Sequence, residues 1–128
     1  MKYMENFLEK NSDYFYFVFR VIIGALFLLH GIQKMSGIFA GKIAFPSLFF
    51  FAGFIETIGG ALFIVGLLTR YVAIVTAIEM LVAYFTAHLP NGLSPLANKG
   101  EPVLLFFAAF LVLITHKPKI ALDNKFNK

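Results

Sequence analysis

FPSLFFFAGFIETIGGALFIVGLL, residues 45–68, carries one charged side chain, Glu56, in an otherwise uncharged apolar run. As a helix the run is roughly 36 Å long, enough to cross the hydrocarbon of a bilayer with some tilt. A charged side chain at that depth costs at least ~2.5 kcal/mol on insertion scales, so Glu56 has to face other helices or a wet cavity and not lipid. Gly53, Glu56, Gly60 and Phe63 recur at steps of three, four and three and so share a face. With Gly59 beside them, the glycines bracket the acid with points where another backbone can approach closely.

The rest of the chain agrees with a membrane setting. Of its 128 residues, 59% are hydrophobic and 14% charged, and the mean hydropathy of +0.80 lies far from soluble globular chains. The length suits a single domain, residues 1–128. Seventeen phenylalanines and no tryptophan suit lipid-facing and packed surfaces, while Tyr3, Tyr14, Tyr16 and Tyr71 fall near expected boundaries. The absence of cysteine excludes thiol chemistry, iron–sulfur ligation by this chain and thiolate zinc sites. The net charge of +4 is spread over ends and loops with no basic stripe, which points away from nucleic acid and towards topology and lipid headgroups.

Before the quoted run, a first span is expected over about 14–33. Arg20, Gly24, Phe27, Gly31 and Lys34 fall on one face, with His30 at its edge, and that face must look inward. No small-residue cleavage site follows this span, so it reads as retained and not as a signal peptide. Ahead of it, Tyr3, Met4, Phe7 and Leu8 oppose Lys2, Glu5, Glu9 and Lys10, as in a short interfacial helix or a frayed terminus. Residues 35–44 read as a glycine-containing loop; its G-x-x-x-G-K lacks the spacing and the Ser or Thr of a phosphate-binding loop.

After the quoted run, a short turn around Leu68, Thr69 and Arg70 leads into a third span over about 71–88 and makes spans two and three antiparallel. Glu79 lies mid-span with Thr76, Ala83 and Thr86 on its side, at a depth similar to that of Glu56. If the two carboxylates are close, one must hold a proton, because both cannot readily ionise at low dielectric. Residues 89–100 form the long polar connection. Glu101 and Pro102 open a fourth span over about 102–116, at roughly 21 Å short of a full crossing. The tail from Thr115 reads as basic and soluble. Four spans put both termini on one side. Lys2, Lys10, Arg70, Lys117, Lys119, Lys125 and Lys128 there outnumber Lys34, Lys42 and Lys99 opposite, which assigns both termini to the cytoplasm.

An all-α transmembrane four-helix bundle of this kind can hold a column of ionisable groups: Arg20, His30, Lys34, Glu56, Glu79, His88 and Glu101. Such a column could be a proton path or a pocket for a polar-headed, lipid-soluble molecule. The competing structural reading has Arg20 snorkelling to the interface, Lys34, His88 and Glu101 meeting headgroups, and Arg20 or Lys34 pairing with Glu56 to fix helix register. A haem between His30 and His88 is disfavoured beside these, and no H-x-x-x-H or H-E-x-x-H pair supports a metal site.

Three stretches carry a resemblance: R-x3-G-x5-HG-x2-K from Arg20 to Lys34, E-x2-GG-x5-GLLTR from Glu56 to Arg70, and H-x12-E from His88 to Glu101. Together they resemble the DoxX family of small prokaryotic four-helix membrane proteins, over roughly residues 15–116. Met35 stands where a leucine is usual, and Glu79 lies in a span that is ordinarily apolar there. The resemblance implies an integral protein of the prokaryotic cytoplasmic membrane, with relatives linked to thiosulfate:quinone oxidoreductase and to oxidative-stress complexes. It points at Arg20, Gly31, Lys34, Glu56, Gly59, Gly60, Arg70 and His88. The expected role is a quinone-linked or redox-associated membrane subunit, with quinone as candidate ligand and a soluble or membrane redox partner. The alternatives are a non-catalytic scaffold that recruits redox enzymes and a small proton-coupled transporter, each open to homo-oligomerisation.

Overall fold

Lipid offers the backbone no hydrogen bonds, so apolar runs of this length must satisfy their own, and every regular element among the described residues is helical. The computed structural model describes residues 1–41 and 48–126. In chain order the elements are α1 (Lys2–Lys10), α2 (Ser12–Phe39), α3 (Leu48–Val65), α4 (Thr69–Ala83), α5 (Glu101–Thr115) and α6 (Asp123–Phe126). A π-helical turn, Tyr84–His88, and a 3-10 turn, Leu89–Asn91, extend α4. Three helical stretches, of 26, 18 and 23 residues, are long and apolar enough to cross a membrane; α5, with 15 residues, is shorter.

α1 is a formed helix with no buried residue, ended by Asn11, whose side-chain amide donates to the Phe7 carbonyl at 2.8 Å. α2 corrects the expected loop over 35–44, since the helix continues to Phe39. The reason lies across the interface, where Gly53 has no side chain and the Cβ of Lys34 and the thioether of Met35 pack over it. The remainder of that expected loop, from Lys42, and the first three residues of the quoted run, from Phe45, lie outside the described residues.

The glycine face predicted for α2 and α3 is their contact. A Cβ on Gly60 would stand 2.5 Å from the Leu28 amide nitrogen and 2.7 Å from the Gly24 carbonyl, and one on Gly24 would stand 2.8 Å from the Cβ of Phe63. One on Gly31 would collide with the backbone nitrogen and hydroxyl of Thr57. Gly59 serves a different neighbour, lying against Thr76 and Val72 of α4. Helix association in lipid rests on such close van der Waals packing. The remaining space is filled by Phe27, Phe63, Ala73, Ala77, Met80, Phe110 and Leu113. Phe27 meets Phe110 edge-on at 4.9 Å and Phe63 stacks on it at 5.4 Å. Outward, Leu29, Phe51, Val75, Ile78 and Phe85 are exposed, as a lipid-facing surface requires.

The α3–α4 turn is tight, with Gly66 at φ 75° and Leu68 at φ 55°. The tail, read from sequence as basic and soluble, folds back on this turn: the N–H groups of Leu122 and Asp123 donate to the Val65 and Gly66 carbonyls, each at 3.1 Å. These carbonyls lie at the end of α3, where no further helical turn supplies partners. The third span also departs from a uniform helix. The π turn inserts extra backbone into its last part and shifts the phase, so Thr86, expected beside Glu79, is exposed and bonded to the Val82 carbonyl at 2.7 Å.

Candidate functional site

Close approach of α2 to α3 carries Lys34 over the start of α3, and its ammonium pairs with the Glu56 carboxylate. Glu56 is 2% exposed, whereas the Lys34 side chain is 24% exposed and also lies over the Phe49 ring at 5.4 Å. The pairing follows from the register: Gly31 is seated on Thr57, so the residue one turn on in α2 meets the residue before Thr57 in α3. From α4, Glu79 adds a second carboxylate whose neighbours in charge are Glu56 and Lys34. Both Glu79 oxygens are buried, with no hydrogen-bond partner besides the Glu56 carboxylate among the described residues. Two carboxylates and one ammonium, drawn from three different helices, thus form one cluster of charge.

The other candidates do not join this cluster, and the continuous column expected from sequence is not formed. Arg20 does not snorkel; it is 1% exposed, and its Nε donates to the Phe63 carbonyl at 2.8 Å. Its Cζ lies beside Gly66 and 5.3 Å from the Phe17 ring centre, and its Nη1 has no partner among the described residues. Arg20 therefore closes the end of α3, and Lys34 is the cation that pairs with Glu56. His30 is exposed at the α2–α5 surface, edge-on to Phe106 at 5.3 Å. It lines an apolar groove of about 330 Å³ with Ile23, Leu26, Pro102, Leu105 and Phe106. His88 belongs to the polar connection: its Nδ1 lies 3.1 Å from the Asn98 carbonyl, and its ring stacks on Tyr84. Glu101 is exposed in the first turn of α5.

Two organising residues were missed from sequence. Asn98 is 3% exposed; its amide donates to the Gly92 carbonyl at 2.9 Å and the Tyr84 hydroxyl at 3.2 Å, while its Oδ1 accepts from the Gly100 N–H at 2.8 Å. Asp123 accepts from the Leu68 and Thr69 N–H groups, at 2.6 and 3.2 Å, and caps α4 from far along the chain. A local signal existed only for Asn98, which stands in a run of turn residues; nothing near Asp123 indicates a partner 55 positions away. At the same end the Tyr16 hydroxyl donates to the Leu113 and His116 carbonyls, and Arg70 Nε to that of Ile114. Among the described residues no group of three or more His, Cys, Asp or Glu side chains is arranged to hold a metal ion.

The comparisons with known proteins agree with this architecture. A Haemophilus influenzae protein carried as "Uncharacterized protein" is 39% identical over 134 aligned positions, covering 96% of this chain and 98% of its own. The Bacillus subtilis protein named "Putative oxidoreductase CatD" is 31% identical, covering 91% of this chain and 90% of its own. No solved structure matches. The family profile described as DoxX matches residues 15–89, the part of the chain that contains Arg20, Lys34, Glu56, Glu79 and the whole α2–α3 glycine interface. With its apolar helices and lipid-facing surface, this integral membrane protein belongs to the DoxX family.

Proposed function

We propose that the protein is a redox-associated membrane subunit that handles a lipid-soluble quinone, with the Lys34–Glu56–Glu79 cluster as its proton reservoir. The observation that carries this reading is Glu79, an acid in a lipid-length helix whose two oxygens are buried with no partner besides the Glu56 carboxylate among the described residues, beside an ion pair already complete between Lys34 and Glu56. Neutrality of the three groups requires one more positive charge, and a proton is the smallest carrier of it. Ionisable groups retained at such depth mark proton relays and ligand paths more often than ornament.

A quinone substrate fits the groove at His30 in character. The walls are aliphatic and aromatic, the opening faces the lipid from which a quinone arrives, and one imidazole supplies a hydrogen bond to a ring carbonyl. His30 and Lys34 stand four residues apart on α2, roughly 6 Å along its axis. Reduction of a quinone to a quinol takes two electrons and two protons. The protons would pass from the Lys34–Glu56–Glu79 cluster towards His30, and the electrons from a separate redox protein. The oxidoreductase name of the B. subtilis relative supports the redox association.

The end that bears Lys2, Lys10, Arg70, Lys117, Lys119 and Lys125 faces the cytoplasm of a prokaryotic cell on this reading, by the positive-inside rule. Purified protein should bind a short-chain quinone analogue, and H30A should weaken that binding. E56Q and E79Q should retain binding and change its pH dependence. Absence of quinone binding in wild type, or binding indifferent to all three substitutions, would refute the proposal.

A further inference from the structure

At the other end of the α4–α5 pair lies a second depression, of about 450 Å³, that the proposed chemistry does not use. Its lining combines two cations, Arg70 and Lys117, with the apolar side chains of Ile74 and Ile114 and the ring of Tyr71. Tyr71 is 71% exposed and Ile74 44%, so the wall continues into the surface that meets acyl chains. Both cations are exposed. Arg70 is held in place because its Nε donates to the Ile114 carbonyl at 2.8 Å, a bond that does not use the terminal guanidinium nitrogens.

Asp123 also lines the depression, and its charge has to be counted. Its oxygens accept from the Leu68 and Thr69 N–H groups at the start of α4, where the helix dipole favours an anion. Arg70 and Lys117 against Asp123 leave one net positive charge, beside an apolar wall. That is the complement of a singly charged phosphodiester carried on acyl chains.

We infer that this depression is a binding site for one anionic phospholipid, its phosphodiester between Arg70 and Lys117 and an acyl chain along Ile74 and Ile114. The site stands apart from the Lys34–Glu56–Glu79 cluster and from the His30 groove, so its success or failure does not depend on the redox reading. A lipid seated there joins the start of α4 to the end of α5, the region the folded-back tail also closes.

The test is native mass spectrometry of the full chain in neutral detergent, titrated with dioleoyl phosphatidylglycerol or dioleoyl phosphatidylcholine. The two share acyl chains and differ in net charge. The expected result is preferential retention of one phosphatidylglycerol. K117Q should weaken it about fivefold, the scale of one cation at an anionic surface, whereas K119Q should leave it unchanged. Lys119 is exposed near Asp13 and does not line the depression, so K119Q makes the same change in net charge outside it. Because Lys117 makes no side-chain hydrogen bond or ion pair among the described residues, its loss should not unfold the protein, and R70K, which keeps the charge, should retain most of the binding. Equal retention of the two lipids, or equal losses in K117Q and K119Q, would overturn the site. So would displacement of phosphatidylglycerol by inorganic phosphate at matched concentration, which would show that the acyl wall contributes nothing.

Discussion

Asp123 and Leu68, 55 positions apart, are joined by a 2.6 Å hydrogen bond from the Leu68 N–H to the Asp123 carboxylate. Leu68 itself adopts a left-handed backbone at φ 55°, where a β-carbon is unfavourable, and no side chain of its own caps α4. The capping function is thus supplied by the tail.

Loss of that cap should be measurable. D123A should destabilise the protein by about 1 kcal/mol, within the usual range for a removed helix cap. Thermal unfolding followed by circular dichroism checks this. D123N, which keeps one acceptor, should fall between D123A and wild type.

Neighbouring glycines should respond very differently to one added methyl. G60A drives a Cβ to 2.5 Å from the Leu28 backbone nitrogen, which cannot move without parting α2 from α3, and should cost about 3 kcal/mol or abolish folding. G59A meets the Thr76 methyl at 3.3 Å, which a small side-chain shift relieves, and should cost under about 1 kcal/mol. Comparable losses in the two variants would contradict the interface as described.

The Lys34–Glu56 pair should show strong coupling. K34M leaves a 2% exposed carboxylate without its cation and should destabilise by about 3 kcal/mol. K34M combined with E56Q should recover most of that loss, and a double-mutant cycle built on these variants reads the coupling directly.

Arg20 should behave as a structural cation. In a continuing helix the Leu67 N–H would reach the Phe63 carbonyl, but it turns to the Leu62 carbonyl at 3.0 Å, and Arg20 Nε takes the place left open. R20M should therefore cost about 1–3 kcal/mol through an orphaned buried carbonyl, with quinone binding unchanged in the folded fraction. A selective loss of that binding would move Arg20 into the site.

The helices and their close-packing faces were legible because lipid imposes strong local rules. Apolar length marks spans, and Gly24 with Gly31, and Gly53 with Gly60, recur at helical steps, so a close-packing face on each helix could be read from spacing, though not that the two faces meet each other. Glu56 announced itself for the same reason: one acid in a run of hydrocarbon must find company. Its choice of Lys34 over Arg20 was not legible, because both cations share a face of α2 and only the register set at Gly31 and Thr57 separates them. The exposure of His30 was hidden by its position at the edge of that face, where a small rotation decides between interior and lipid. The π turn at Tyr84–His88 has no spacing signature, and it undid the placement of Thr86. The folded tail was missed because Asp123 and the α3–α4 turn recognise each other only in three dimensions.

The tail contact also orders events during synthesis. Asp123 leaves the ribosome after all of α4 and α5 have been made, so the start of α4 enters the membrane without its carboxylate cap and acquires it only when the following segment doubles back. A nascent chain halted between α5 and Asp123 would have every helix of the bundle but an open seam at Leu68, and proteases at that membrane face should cut there first.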